Sequence, residues 1–133
     1  MTASARAVEL ATEAALAAAD KLAEEVVAVD VSEQLVITDV FLLCSGANDR
    51  QVRAIVDAVE ERLIPLGAKP VRREGERAGR WVLLDYVDII VHVQHAEERA
   101  YYALERLWRD CPTVPLPDEV RAAAHQGRSG VGS

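Results

Sequence analysis

Apolar residues along the first part of the chain follow first a helical and then a strand-like spacing. From Ser4 to about Glu25, an alanine-rich stretch has an apolar residue at every third or fourth position. This pattern predicts an amphipathic helix, with Ser4 as its N-cap. The β-branched run 26–31 and the continuous apolar run 38–44 predict two strands, the second of them covered on both faces.

The rest of the pattern predicts a second helix, three strands and a third helix. Asn48 and Gln51 resemble a capping pair, and apolar residues at helical spacing follow up to Leu63. Pro65 and Gly67 are expected to end that helix. The later elements are predicted as strands at 69–74, 81–86 and 89–93 and a helix from about 96 to 109.

This order of elements predicts an α/β chain of the α+β type, with a mixed sheet of about five strands flanked by helices. The last three strands are expected to form a meander. Residues 1–111 are expected to form one domain. The prolines and glycines of 112–133 indicate a flexible C-terminal tail that folding does not need. The alternative is that Val114, Leu116 and Val120 dock one short stretch of this tail.

The net charge of the chain limits the kinds of partner that the protein is expected to bind. The 133 residues carry 22 acidic and 15 basic side chains, a formal net charge of −7. Binding along nucleic acid requires clustered Lys and Arg, so little direct nucleic-acid binding is expected. An acidic surface suits a basic protein partner, or no partner at all, since net charge also keeps proteins soluble. The apolar runs are too short to span a membrane and no secretory signal is recognisable, so a cytosolic protein with reduced Cys44 and Cys111 is expected.

Candidate metal and catalytic groups do not form a recognisable constellation. His92 and His95 are three apart in a predicted strand and therefore point to opposite faces, so they cannot easily chelate one ion. Ser45 lies at a strand-to-helix turn but lacks the flanking glycines of a nucleophile motif. Asp85 and Asp88 do not share the strand parity that two-metal chemistry would need. We expect no catalytic residue, no metal site and no cofactor.

Five of the six aromatic residues lie between positions 81 and 108. Exposed Trp and Tyr are typical of protein interfaces, whereas Tyr101 and Trp108 have the helical spacing of core residues. Trp81 and Tyr86 are five positions apart and face opposite sides of a regular strand. At least one of these two is expected to point outward or to lie at an edge.

The segment from Trp81 to Trp108 closely resembles the ribosomal silencing factor family, also called Iojap-like. The family pattern is Trp, apolar residues, Asp-x-Gly-Asp, Val-His, then Arg, Tyr, Leu-Glu and Leu-Trp. The matching residues here are Trp81, Asp85, Asp88, Val91, His92, Arg99, Tyr102, Leu104, Glu105, Leu107 and Trp108. One departure is Val87, which stands at the usual Gly position and would be strained if that position requires a positive φ.

The resemblance implies a nucleotidyltransferase-like fold without known catalysis. It also implies a homodimer that binds the large ribosomal subunit through ribosomal protein uL-fourteen. Occupying that site would block the small subunit from joining and repress translation when nutrients are short. By position, the residues that face the ribosomal protein would be Trp81, Asp85, Tyr86 and Asp88.

Two rival hypotheses remain beside this one. The first is a nucleotidyltransferase-type enzyme that acts on a nucleotide substrate with Ser45, Asp39 and Asp85, and magnesium-dependent nucleotide binding would favour it. The second is a dimerisation module whose aromatic residues are all buried, and failure to bind ribosomes would favour that.

Overall fold

The computed structural model describes residues 3–75, 80–96, 106 and 109–120. Two helices flank a five-stranded mixed sheet, which confirms the predicted α+β class. The helix predicted from 96 to 109 lies largely outside the described residues. The elements are α1 (Ala5–Asp20), β1 (Glu25–Asp30), β2 (Val40–Gly46), α2 (Asp49–Leu63), a 3-10 turn (Ile64–Leu66), β3 (Arg72–Gly75), β4 (Trp81–Asp85) and β5 (Ile89–His95).

Both helices begin at the predicted N-caps. The Ser4 hydroxyl accepts a hydrogen bond from the Ala7 N–H at 3.0 Å, and the Asn48 side-chain oxygen accepts one from the Gln51 N–H at 2.9 Å. Each bond satisfies a backbone donor that has no partner within the first helical turn. Gly67 ends the helical region in the left-handed conformation at φ 74°, which glycine adopts without steric cost.

The strands lie in the order β1-β2-β5-β4-β3. β2 and β5 pair in parallel at the centre, and the remaining pairs are antiparallel. The chain between β2 and β5 contains α2, β3 and β4, and β3, β4 and β5 form the predicted meander. The central position of β2 and β5 explains their continuous apolar sequences, because both faces of these strands are buried.

The two faces of the sheet differ in their cover. On one face, which we call the helix face, α1 and α2 bury alternate residues of the strands, among them Leu42, Leu84 and Val91. The alanines of α1 are almost all buried here, and their short side chains let the helix lie close to the sheet and to α2. The opposite face, the second face, carries a smaller apolar cluster of Val29, Val31, Phe41 and Ile90.

The segment 112–120 crosses the β1 edge of the sheet, and we call it the C-terminal strap. The Asp30 N–H donates to the Pro112 carbonyl at 2.8 Å, and the Val114 N–H donates to a β1 carbonyl at 2.8 Å. Val114 and Val120 are buried in the core of the helix face. The strap is therefore held by the backbone of β1 and by apolar burial.

Docking of the strap is the alternative that the sequence left open, and it corrects the expectation of a flexible tail for residues 112–120. Prolines and glycines reduce the apolar surface that a segment can bury. Burial of the two valine side chains nevertheless holds this short segment against the core. The division into a domain at 1–111 and a tail stays a prediction, and residues 121–133 lie outside the described part.

Candidate functional site

Side chains along β4 alternate between the two faces of the sheet. Val82 and Leu84 belong to the core of the helix face. Trp81 and Asp85 have the opposite parity, lie on the second face and are partly exposed. Tyr86 follows the parity of Val82 and Leu84, so Trp81 and Tyr86 lie on opposite sides of the sheet, as predicted.

Tyr86 is buried, and this corrects the expectation that it belongs to the exposed partner-binding surface. Its side chain is 5% exposed and packs in the core of the helix face. Burial raises the pKa of Tyr86 to about 12, and the nearby Glu60 carboxylate adds to the increase. The phenol oxygen has no hydrogen-bond partner among the described residues. The Tyr86 side chain can therefore support the adjoining turn from within the core, but its ring is not exposed to a partner.

A network of short hydrogen bonds defines the turn between β4 and β5. The Asp85 carboxylate accepts from the Val87 N–H at 2.8 Å. The Asp88 N–H donates to the Tyr86 carbonyl at 2.8 Å, and the Tyr86 N–H donates to the Ile89 carbonyl at 2.9 Å. Asp85 therefore has a structural role in the turn, and it also lies 3.8 Å from the Arg72 guanidinium across the sheet edge.

Val87 occupies the top of this turn in the left-handed conformation, with φ 72°. For a β-branched residue this backbone conformation costs roughly 1–2 kcal/mol, which the surrounding hydrogen bonds must offset. The side chain gains no burial in return, since it is 54% exposed. The strain expected from the sequence is therefore present, and it is located at the surface.

Asp39 connects the loop between β1 and β2 to the β4–β5 turn. Its N–H donates to the Asp88 carbonyl at 3.2 Å, and its carboxylate accepts from the Ser4 N–H at 2.8 Å. Asp30, at the end of β1, accepts from the Ala3 N–H at 3.0 Å and from both the N–H and the hydroxyl of Ser32. Partial burial raises the pKa of Asp30, but these hydrogen bonds outweigh it and lower the pKa below the ordinary value.

Four aspartates therefore lie at one end of the sheet, which we call the acidic end. They come from the last residues of β1 and β4 and from the residues just before β2 and β5: Asp30, Asp39, Asp85 and Asp88. Of these four, Asp85 and Asp88 belong to the predicted partner-binding residues, whereas Asp30 and Asp39 do not. A usable signal was present, because all four stand at strand boundaries, but the strand order needed to join them is a long-range property.

The family model described as "Ribosomal silencing factor during starvation" matches residues 4–131. The chain belongs to the ribosomal silencing factor family. It is 46% identical over 97 residues to ribosomal silencing factor RsfS of Halalkalibacterium halodurans, covering 73% of this chain and 83% of that protein. It is 42% identical over 103 residues to RsfS of Bacillus subtilis, covering 77% and 87%.

A solved structure agrees with this membership. A crystal structure of a protein from Bacillus halodurans is similar with a TM-score of 0.72 and 44% sequence identity. The match covers 81% of this chain and 98% of that one. The resemblance inferred from the motif between Trp81 and Trp108 is thereby confirmed.

In this member of the ribosomal silencing factor family, the residues of the rival enzyme do not come together. Ser45 is buried near the end of β2, whereas Asp39 precedes the start of that strand, about 20 Å away along the strand direction. Asp85 lies at the same end as Asp39. Within the ranges that the structure describes, no three His, Cys, Asp or Glu side chains are grouped so as to hold a metal ion.

The buried nucleophilic and basic side chains have environments that favour their neutral forms. Burial lowers the pKa of His92 to about 4, and the His92 ring packs edge-on against Phe41 with 5.0 Å between ring centroids. Burial raises the pKa of Cys44 to about 12. His95 lies on the other side of β5 from His92, as its spacing predicted.

No described helix is long and apolar enough to cross a membrane.

Proposed function

We propose that this protein binds the large ribosomal subunit through ribosomal protein uL-fourteen and blocks joining of the small subunit. Translation would thereby be repressed when nutrients are limiting. The observation that carries the proposal is the match to the ribosomal silencing factor family over residues 4–131. In this proposal the protein acts in the cytoplasm as a homodimer, without a cofactor and without catalysing a reaction.

Charge supports a protein, rather than RNA, as the contacted component of the ribosome. The chain has a formal net charge of −7, and four aspartates are gathered at the acidic end. Phosphate groups would be repelled by such a surface, whereas Lys and Arg of a ribosomal protein would be attracted to it. The proposed contact therefore uses ribosomal protein, with little direct nucleic-acid binding.

Some of the proposed partner-binding residues would touch the partner directly, whereas one would only hold the turn in place. Trp81 offers a partly exposed aromatic surface on the second face, and Asp88 offers a carboxylate on the turn. Asp85 holds the turn through the Val87 N–H and is itself partly exposed. Tyr86 acts from the core by fixing the position of the turn, so its contribution to binding is indirect.

An enzyme of the nucleotidyltransferase type is the alternative. It would need Ser45, Asp39 and Asp85 to converge on one nucleotide, and Ser45 lies at the other end of the sheet from the two aspartates. The curated relatives described above are named as silencing factors rather than as enzymes. Partner binding is therefore the function that we put forward.

Sedimentation with purified free large subunits tests the proposal directly. The wild-type protein is expected to travel with the large subunits and to reduce formation of joined ribosomes when small subunits are added. A protein that stays at the top of the gradient and leaves subunit joining unchanged would overturn the proposal. Magnesium-dependent nucleotide transfer by the same preparation would favour the enzyme instead.

The proposed homodimer is tested separately. Light scattering at micromolar concentration is expected to give twice the chain mass of 14.5 kDa. A mass equal to a single chain at every concentration up to that range would contradict the dimer and leave the ribosome-binding proposal in place.

A further inference from the structure

The loop between β1 and β2 presents two neighbouring apolar side chains to solvent. Val36 is fully exposed (104%) and Ile37 is 68% exposed. The loop has a defined local structure, because the N–H groups of Gln34 and Leu35 both donate to the Val31 carbonyl, at 2.9 and 2.8 Å. Leu35 also packs against the apolar cluster of the second face. The exposed pair is therefore held in position by its partly buried neighbour.

The strained tip of the β4–β5 turn adjoins the end of this loop. The Asp39 N–H donates to the Asp88 carbonyl at 3.2 Å, which joins the end of the loop to the turn. Val87, next to Asp88, is 54% exposed. We call Val36, Ile37 and Val87 the apolar patch.

Single exposed apolar residues are normal on protein surfaces, and Leu22 shows that one can also have a positive φ (58°). What distinguishes this surface is that two exposed apolar residues are consecutive in the chain. Val36 is fully exposed and Ile37 is about two-thirds exposed, and the third residue adopts a backbone conformation that costs the fold free energy. Within the described fold, these three side chains stay largely exposed, and no burial of the Val87 side chain offsets the strain of its backbone. Such a combination indicates a surface whose burial occurs on binding.

A hollow beside the patch has mixed chemistry. It has a volume of about 440 Å³ and is lined by Ser32, Glu33, Gln34, Leu35, Val36 and Asp39. The apolar wall accepts the methylene stem of a long side chain, and the carboxylates attract a positively charged end group. Lys or Arg has both properties, so the hollow fits a basic side chain next to an apolar contact.

We propose that the apolar patch and this hollow form a second contact with the protein partner, separate from the contact made by Trp81. The surface that fits is an apolar spot bordered by Lys or Arg on a protein of the large subunit. This inference rests on the proposed function and extends its binding surface to the β1–β2 loop. RNA does not fit, because its phosphates would face Glu33 and Asp39.

The first test removes the apolar side chains of the loop. The double variant Val36→Ser/Ile37→Ser is expected to bind free large subunits about tenfold more weakly, with an unchanged melting temperature because both side chains are exposed. Leu22→Ser is the matched control. Leu22 is 49% exposed and lies at the opposite end of the sheet, where its carbonyl accepts from the Gln51 side chain.

The second test reverses the charge at one exposed position. If the partner surface is basic, Ile37→Lys weakens binding more than Ile37→Glu, and the difference shrinks as the salt concentration rises. If the surface that it faces is RNA, Ile37→Lys binds more tightly than Ile37→Glu. That second result would overturn the assignment to a protein partner.

Failure of this inference and failure of the proposed function give different results. If the double loop variant binds like the wild type while Trp81→Ala binds more weakly, the second contact is wrong and the proposed function stands. If the wild-type protein does not bind large subunits at all, the proposed function is wrong and the second contact fails with it. Weaker binding by the double variant with normal binding by Leu22→Ser supports the inference.

Discussion

At the end of the sheet where β2 leads into α2, one amide side chain satisfies backbone N–H and carbonyl groups together. At the acidic end, carboxylates accept from backbone N–H groups, and the adjoining β1–β2 loop exposes two apolar side chains. The Gln51 side chain makes the contrast clear. Its oxygen accepts from the Ala47 N–H at 2.6 Å, and its nitrogen donates to the carbonyls of Lys21 and Leu22 at 2.9 and 2.8 Å. We call this the closed end.

Both ends contain one exposed apolar residue with a positive φ, Leu22 (φ 58°) at the closed end and Val87 (φ 72°) at the acidic end, but the loop beside the acidic end exposes two more. Val36 and Ile37 bury little surface, and Val87 adopts a strained backbone conformation. The fold therefore closes strand ends with side-chain hydrogen bonds at both ends of the sheet, from an amide at one end and from carboxylates at the other. Changes to Gln51 at the closed end should therefore affect stability. Changes at the surface of the acidic end should affect binding, and so should changes to Trp81, which pairs with Gln94 at the other end of β4.

The largest expected effect concerns Tyr86, which adjoins the acidic end but belongs to the core. Tyr86→Ala is expected to lower the free energy of unfolding by about 3–5 kcal/mol, because it removes a buried aromatic ring. Tyr86→Phe is the matched control and should change stability by less than about 1 kcal/mol, since the buried hydroxyl has no partner among the described residues. Denaturant titration measures both. Equal midpoints for Tyr86→Ala and wild type would contradict the buried position.

The next effect is a dependence of stability on pH. It arises from a buried histidine of the sheet and not from the carboxylates of the acidic end. Burial holds the pKa of His92 near 4, below the ordinary value of 6.5. The unfolded chain therefore binds a proton more readily, and stability falls as the pH decreases from about 6.5 to about 4. The total loss is about 3 kcal/mol. His92→Leu should flatten this part of the pH–stability curve, and an equally steep curve in that variant would assign the loss to other groups.

Removal of Trp81 is expected to affect binding more than folding. Trp81→Ala should weaken binding to large subunits by about thirtyfold, or about 2 kcal/mol, as the loss of an aromatic contact at an interface typically does. Its free energy of unfolding should fall by less than that of Tyr86→Ala, because Trp81 is partly exposed. Binding assays and thermal melts on the same preparations distinguish the two roles. Wild-type affinity in a folded Trp81→Ala variant would remove Trp81 from the proposed surface.

At the closed end, Gln51→Ala is expected to lower the free energy of unfolding by about 1–2 kcal/mol. The substitution removes the side-chain partner of one backbone N–H and two backbone carbonyls. Binding to large subunits should remain unchanged under conditions where the variant is folded. Arg53→Ala, at an exposed position of the same helix, serves as the control. Weaker binding by folded Gln51→Ala would remove the distinction between the two ends.

The smallest expected effect has opposite signs for stability and binding. Val87→Gly should raise the free energy of unfolding by about 1 kcal/mol, because glycine adopts the positive φ without strain. The same substitution should weaken binding to large subunits severalfold, because it removes an exposed side chain of the apolar patch. A variant with higher stability and unchanged affinity would show that Val87 has no part in binding.

Most elements of the fold could be predicted because they depend on local patterns. The N-caps Ser4 and Asn48 and the alternation along β4 are set by neighbours in the sequence. The burial of Tyr86 could not be predicted in this way, because it depends on packing against residues that precede it by many positions, including Glu60 of α2. The sequence of the turn by itself does not indicate that Tyr86 is buried.

The candidate site was predictable only in part for the same reason. The motif drew attention to Trp81, Asp85 and Asp88, which lie close together in sequence. Asp39 joins Asp85 and Asp88 only through strand order and the hydrogen bond to the Asp88 carbonyl, and Trp81 lies at the other end of β4, opposite Gln94. The exposure of the β1–β2 loop likewise depends on how β1 and β2 are placed.

The C-terminal strap has a consequence for the time at which the sheet becomes complete. β1 is an edge strand, and its outer backbone groups are paired with a segment that is made more than eighty residues later. Such a long-range contact forms late in folding, so the β1 edge stays open while the chain is being synthesised. Open edges invite pairing with strands of other chains. A product that stops before the strap would therefore be prone to aggregation even if its core had formed.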